Sequence, residues 1–407
     1  MSDREHDVVV FGATGFVGEL LAAYLAEHAP AEARIALAGR SQAKLAAVRD
    51  RLPAAAREWP LLVADSTDAA SLAALAASTT VVATTVGPYA KYGMPLVEAC
   101  AAAGTHYADL TGEVLFVREA ADKTDAAARA TGARIVHSCG YDSIPSDIGT
   151  LLLHEQAVAD GAGGLTDVQM VATFRGGFSG GTLDSARTQI DTIRSDKAAR
   201  TITFDEYGLS PDRAAEPDVR QPADAGPPAR GADGTWHAPF VMAPYNTRIV
   251  RRSNALLDWA YGRDLRYGEV MGCGKGVGGL AVSAGVTGGM VAFLGAMALK
   301  PTRMLLDRVL PAPGTGPDEE ARRRGWFRSE FAATTESGKR YRAVVAGPGD
   351  PGYAATAVML GESALALALD TDRLPDRAGS LTPATGIGIV LAERLRAAGH
   401  TYTVEPV

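Results

Sequence analysis

From Val8 to Ser138 the chain alternates short apolar bursts with stretches whose apolar positions recur at helical spacing. Val8–Phe11, Arg34–Ala38, Leu61–Ala64, Thr80–Thr84, His106–Leu110 and Arg134–Ser138 read as six strands. Helices are predicted between them over Phe16–Glu27, Gln42–Leu52, Ala69–Ala77, Met94–Ala103 and Val114–Thr131. Gly104 and Gly132 follow two of these helices, where a left-handed residue closes the last turn. Strands that are apolar throughout and separated by helices imply a parallel sheet covered on both faces. The fold class is therefore α/β, and six strands in this rhythm predict a doubly wound dinucleotide-binding (Rossmann) domain over residues 1–150.

After residue 150 the pattern changes. Val168–Phe174 alternates like a half-buried strand, and Trp326–Thr334 with Arg340–Ala346 reads as a hairpin turning at Ser337-Gly338. Residues 151–348 are thus expected to form a second, α+β domain that binds substrate. Ser210–Gly234 is rich in Pro, Gly, Asp and Ala and reads as a mobile surface loop. Residues 349–407 are expected to return to the first domain as helices. One spans Tyr353–Asp370; another opens at Thr382-Pro383 and closes at Gly399.

Gly12, Gly15 and Gly18 lie between the first strand and the first helix. A tight turn, close approach of backbone N–H groups to a pyrophosphate, and close helix–strand packing each need a residue without Cβ there. Thr14, Phe16 and Val17 complete the turn whose amides meet the phosphate at the helix start. The spacing is G-x-x-G-x-x-G, and the strand–turn–helix context makes it a dinucleotide signature. The second strand ends at Gly39-Arg40, where an NAD-selective site would carry Asp or Glu. Arg40, with Lys44 one turn on, points to the 2′-phosphate of NADP(H). Asp65 follows the third strand and either meets the adenine or, like Ser66, caps the next helix. Val86 and Gly87 follow the fourth strand, beside the expected pyrophosphate and nicotinamide; Tyr89 there is a lid aromatic or a reacting group.

The net charge of −7 and the lack of a basic run argue against a nucleic-acid partner. Gly makes up 45 of 407 residues, above the usual ~7%, so many turns or close approaches must be served. Cys100, Cys139 and Cys273 are scattered and odd in number, which fits a reduced, cytoplasmic protein; no basic leader precedes Val8. No His, Asp or Glu cluster has metal-ligand spacing, so no metal is expected.

Gly276–Leu299 carries no charge and is bracketed by Lys275 and Lys300. Its readings are a buried or substrate-lining helix, an interfacial hairpin that attaches the protein to the inner membrane face, and a true span. A span would strand the hairpin and the C-terminal helices away from the cofactor.

Several segments together resemble the saccharopine dehydrogenase-like oxidoreductases, and within them the trans-acting enoyl reductases. They are Gly12–Gly18, Ala38-Gly39-Arg40, Val86–Tyr89, Tyr107–Glu113, Cys139–Gly149, Phe174–Ser185, Gly349–Tyr353 and Leu381–Ala384. The resemblance runs over nearly the whole chain. It implies NADP(H) as cofactor and reduction of a double bond on a lipid or polyketide acyl chain held by a synthase; a homo-oligomer is the expected assembly.

The residues carry their own reading of the chemistry. Reducing an enoyl thioester needs a placed nicotinamide, a donor to the thioester oxygen and an acid for the α-carbon. Tyr141 and Asp142, after the sixth strand, are the candidates: Tyr141 as acid, Asp142 as its orienter or as a helix cap. Asp147 reads as a cap, and His106 and His137 as satisfied core groups. The Tyr-x-x-x-Lys pair of short-chain dehydrogenases is absent. Gly176–Thr182 reads as a substrate-contacting turn. Two alternatives stay open. One is imine reduction, for which Arg175, Arg187, Arg248, Arg251 and Arg252 can supply the cations. The other is a nucleotide- and lipid-binding protein without turnover.

Overall fold

The computed structural model describes residues 4–176, 180–298, 302 and 316–407; side chains at 180–187 and 298 lie outside this description. Strands β1 (His6–Phe11), β2 (Ile35–Gly39), β3 (Leu61–Val63), β4 (Thr79–Thr84), β5 (His106–Ala108) and β6 (Arg134–Val136) form a parallel sheet. Between them run α1 (Phe16–His28), α2 (Gln42–Arg49), α3 (Ala69–Ser78), α4 (Tyr89–Tyr92), α5 (Met94–Ala103) and α6 (Val114–Thr131). Gly104 and Gly132 close α5 and α6 with φ of 71° and 77°.

Both faces of this sheet are buried. Val8 and Val10 enter one core with Leu21, Leu25 and the helix Ala354–Leu369, while Val9 and Phe11 enter the other with Leu96, Phe116 and Val117. Successive residues of one strand therefore serve opposite cores, which is why its apolar run is unbroken.

The second sheet is mixed, in the order β14-β12-β11-β7-β10-β9-β8. Its members are β7 (Leu165–Arg175), β8 (Ala229–Arg230), β9 (Thr235–Pro239), β10 (Arg266–Lys275), β11 (Trp326–Thr335), β12 (Arg340–Pro348) and β14 (Thr401–Pro406). Helices α7 (Ile144–Ala159), α8 (Gly180–Ser195), α9 (Lys197–Phe204), α10 (Ala243–Leu256) and α11 (Gly276–Ala298) belong to this half of the chain. β11 and β12 pair antiparallel from Trp326↔Pro348 to Thr334↔Arg340, the hairpin that the alternation predicts.

The C-terminal residues serve both halves. Helix Ala354–Leu369 packs on α1, β1, β4 and β5, and β13 (Gly379–Leu381) adds a seventh parallel strand beside β6. β14 instead joins the second sheet beside β12. The helix expected from Thr382 to Gly399 is two, Pro383–Gly386 and Ile389–Ala397, because Gly388 takes φ 69° and breaks it.

Residues 210–234, expected as a mobile loop, are tied down at several points. The buried Gln221 side chain donates to Leu265 O and Tyr207 Oη and accepts from Tyr267 N, and Asp224 pairs with Arg248 at 2.7 Å.

Helix α11 departs from the first of the three readings. It is not core: 11% of its most apolar stretch is buried, and Val277, Val282, Val291 and Leu294 are 85%, 51%, 67% and 55% exposed.

Candidate functional site

The glycine turn sits at the topological switch point, where β1 lies between β2 and β4. Gly12 has φ 90°, and a Cβ on it would lie 2.8 Å from Thr85 Oγ1 and Val86 Cγ2. A Cβ on Gly18 would lie 2.1 Å from Gly12 O, so only Gly allows α1 to start this close to β1. Gly15 is different: it is exposed and extended (φ −84°), and a Cβ there would project beside Gly12 O at 3.3 Å. Its smallness keeps the mouth of the turn open rather than relieving strain. No side chain caps α1, so its first amides and its dipole face that mouth.

Thr14 and Val17 are half-buried beside the turn. The Phe16 ring turns away from it. It stands edge-on to Tyr353 at 4.9 Å, with the Arg322 guanidinium 5.1 Å above it. It is the backbone of Phe16, not its side chain, that faces a ligand in the turn.

Arg40 and Lys44 are exposed at the end of β2 and in the first turn of α2. Asp65 lies across from Arg40 at the end of β3. Hydrogen bonds from Thr67 N and Oγ1, at 2.9 and 2.7 Å, hold its carboxyl below the usual range, and the Arg40 charge adds to this. The cap of α3 is neither Asp65 nor Ser66 but Asp68, which accepts from Ala70 N at 3.0 Å.

The loop after β4 is held by side chains that the sequence reading overlooked. The Glu113 carboxylate accepts from Tyr89 N at 3.0 Å and Ala90 N at 2.8 Å. Tyr89 is buried, and its hydroxyl donates to Thr84 O and accepts from Leu110 N, both at 3.1 Å. These bonds make Tyr89 a strut of the loop that carries Val86 and Gly87. The Gly87-Pro88 peptide is cis.

At the ends of β5 and β6, the buried Asp109 carboxylate gathers His137 Nδ1 at 2.7 Å, Ser138 N at 2.8 Å and Thr111 N at 3.1 Å. This holds Ser138 at φ 67°, a left-handed conformation that a non-glycine residue pays for. Ser138 Oγ shares a short hydrogen bond with Tyr245 Oη of α10, so the second half of the chain closes on the end of β6. Tyr245 is the other residue missed. Its polar partner is remote in sequence, and the sequence pattern shows only a helical aromatic.

Tyr141 and Asp142 follow. The Tyr141 ring is packed edge-on against Phe327 at 5.2 Å and Phe174 at 6.3 Å. Its hydroxyl is buried and makes no hydrogen bond among the described residues; burial, with Glu269 and Asp142 nearby, keeps the phenol protonated. Asp142 caps nothing: the N-cap of α7 is Ser143, without a side-chain cap bond. It is half-buried, and desolvation raises its carboxyl to about 6. Burial raises the hydroxyls of Tyr89, Tyr141 and Tyr245, and the negative charge of Asp142 adds a smaller push in the same direction. Asp147 does cap a helix, though not its own: it accepts from Ala384 N at 2.8 Å.

The arginines considered for a charged substrate are largely spent. Arg248 pairs with Asp224. Arg251 donates to Glu206 O and Tyr267 O, and Arg252 to Leu209 O and Ser380 O; all three are buried. Arg175 is exposed at the end of β7, and the side chain of Arg187 lies outside the described residues. Of the Gly176–Thr182 turn, residues 177–179 lie outside them too; α8 beyond it reaches the first domain through Gln189, which donates to Gly112 O at 3.2 Å. Among the described residues no group of three His, Cys, Asp or Glu side chains can hold a metal ion.

Comparisons with known proteins give the family and the fold. Residues 8–136 match the family described as the saccharopine dehydrogenase NADP binding domain. A Mycobacterium tuberculosis protein provisionally named a trans-acting enoyl reductase is 53% identical, over 97% of this chain and 96% of its own. The trans-acting enoyl reductase of Mycobacterium bovis BCG is 47% identical, over 98% of this chain and 97% of its own. Among solved structures, apo saccharopine dehydrogenase (L-Glu forming) of Saccharomyces cerevisiae shares the fold. The TM-score is 0.56 at 13% identity, over 98% of this chain and 99% of that one.

Proposed function

Because the chain belongs to the saccharopine dehydrogenase-like oxidoreductases, in the branch of the trans-acting enoyl reductases, we propose that it reduces a carbon–carbon double bond in a lipid or polyketide acyl chain carried by a separate synthase, with NADPH preferred over NADH. That it is an NAD(P)-dependent oxidoreductase with an NADP-binding domain follows from the family itself. The observation that carries the finer reading is the burial of Arg248, Arg251 and Arg252 in bonds to Asp224 and to backbone carbonyls. An imine substrate with several carboxylates would need free cations, and these are not free. An acyl chain needs none.

The turn fits a dinucleotide: an uncapped helix start, an open Gly15 and a cation at the end of β2. Gly15 would admit the diphosphate to the α1 amides, Arg40 would pair with the 2′-phosphate, and Val86 and Gly87 would border the nicotinamide. When bound, NADPH supplies the hydride for the β-carbon. Asp142 holds the proton for the α-carbon, since a carboxyl near pKa 6 is still partly protonated around neutrality. Burial is what raises this carboxyl, and the adjacent Tyr141 packs its ring edge-on to Phe174 and Phe327.

The test is cofactor oxidation by the purified protein with enoyl thioesters of increasing chain length, against a mixture of 2-oxo acid and amino acid. Turnover of the enoyl thioesters alone supports the reading. Turnover only with the imine-forming mixture refutes it.

A further inference from the structure

Helix α11 is apolar all the way round, yet the protein covers only one seam of it. Gly279, Ser283 and Met297 are buried and Val286 and Met290 half-buried, with Ser283 Oγ donating to His237 O of β9. At about 100° per residue, the exposed positions run from Leu294 through Val291 and Val277 to Val282. That is roughly two-thirds of the circumference, and from Gly276 to Ala298 no Asp, Glu, Lys or Arg interrupts it.

We propose that α11 is a lipid-docking element that dips into one leaflet of an anionic bilayer without crossing it. Sheet topology excludes a crossing. β10 leads into α11 and β11 comes after it, and both pair with β7, so the chain must be on the same side before and after. A second crossing would have to come from residues 299–325, which carry Lys300, Arg303, Asp307, Arg308, Asp318, Glu319 and Glu320. A flat surface-lying helix is also disfavoured, because that mode requires a charged face opposite the apolar one.

A second copy of the chain is the other occupant to weigh. One partner helix covers an apolar stripe on the order of 100° wide, which leaves more than half of the exposed arc in water. Acyl chains cover all of it. Lys275, 67% exposed at the entry to α11 and 3.8 Å from the exposed Asp233 carboxylate, is the cation placed where the polar surface of an anionic leaflet would meet the helix.

Flotation of the full-length protein with vesicles of phosphatidylcholine and phosphatidylglycerol, and with phosphatidylcholine alone, tests this. The parent should float with the anionic vesicles. The double variant Val291→Asp, Leu294→Asp should reduce the bound fraction roughly tenfold or more. Lys275→Glu should lower it about fivefold on anionic vesicles only. Both variants should keep the parent's melting temperature and its turnover of a water-soluble short-chain enoyl thioester, which separates docking from chemistry. The proposal is overturned if the parent stays unbound, or if the double variant floats like the parent. It is also overturned if the parent is an unbound dimer that the double variant converts to monomer, which would assign the surface to a second copy.

Discussion

Asp147, in the first turn of α7, accepts a hydrogen bond from the backbone amide of Ala384, 237 positions further on, and so caps the helix Pro383–Gly386. Its other oxygen takes the Ser253 hydroxyl of α10. One carboxylate thereby joins α7, α10 and the C-terminal helices. Replacing it by Ala orphans the buried Ala384 amide and leaves the Ser253 hydroxyl to Ile249 O and Thr382 Oγ1, so Asp147→Ala should cost about 1–3 kcal/mol. Asp147→Asn keeps an acceptor for Ala384 and should cost much less. Chemical denaturation of the three proteins at one pH checks the order.

The same carboxyl also predicts a pH dependence. Burial raises it from an ordinary 3.8 to about 7, so the folded state binds its proton more tightly than the unfolded chain. That contribution is fully present below about pH 4 and is lost as pH rises through 7. The buried Glu269, also raised to about 7, acts in the same direction. Stability curves of Asp147→Asn should therefore fall less steeply from pH 4 to 7 than those of the parent. Parallel curves would remove Asp147 from this role.

Gly15 and Gly18 should separate binding from folding. Gly15→Val places its side chain in the open mouth of the turn, at a φ any residue adopts, so NADPH affinity should drop at least tenfold with little change in melting temperature. Gly18→Ala drives a methyl into Gly12 O and should lower the melting temperature itself. Calorimetric titration beside thermal melts distinguishes them.

Arg40→Ala should weaken NADPH by about 1.5–3 kcal/mol, the range for a hydrogen bond to a charged group, and leave NADH nearly unchanged. Titration of both nucleotides against both proteins reads this directly. Equal affinities of the parent for the two nucleotides would remove Arg40 from cofactor choice.

Asp142→Asn should slow turnover by ~10²–10⁴ at unchanged NADPH affinity, as for loss of a general acid. In the parent, turnover should fall as pH rises through about 6, and the Asn variant should lose that limb. Tyr141→Phe removes a hydroxyl that has no partner among the described residues, so the fold should tolerate it. If Tyr141 rather than Asp142 carries the proton, the large loss and the missing pH limb will appear in the Phe variant instead.

The first domain was legible because its signals are local. Three consecutive valines mark β1, glycines at 12, 15 and 18 mark the turn, and Gly104 and Gly132 end helices on schedule. β13 was not, since Gly-Ser-Leu carries no periodicity and becomes a strand only because the edge of β6 is there to pair. The Pro383–Ala397 stretch has one helical period throughout, yet Gly388 breaks it because its backbone turns back on Pro383. Glu113 and Tyr245 were invisible for another reason: what makes them matter is a backbone amide or a hydroxyl far away in sequence. For α11 the composition foretold an unusual helix. Its exposure depends on how little of its circumference β9 and β10 cover, and no window of sequence records that.

The placement of β13 and β14 bears on how the chain is made. A ribosome delivers β1 to β6 first, but the strand that covers the edge of β6 emerges only at residues 379–381, and the one that covers the edge of β12 only at residues 401–406. Until then β6 and β12 present edges that the finished fold pairs, an invitation to pair with neighbouring chains. Nascent protein is thus open to such pairing until residues 379–406 have emerged. A stop codon ahead of Gly379 would leave a product whose nucleotide-binding segment is complete in sequence but unsealed, fit for chaperones and proteases rather than for catalysis.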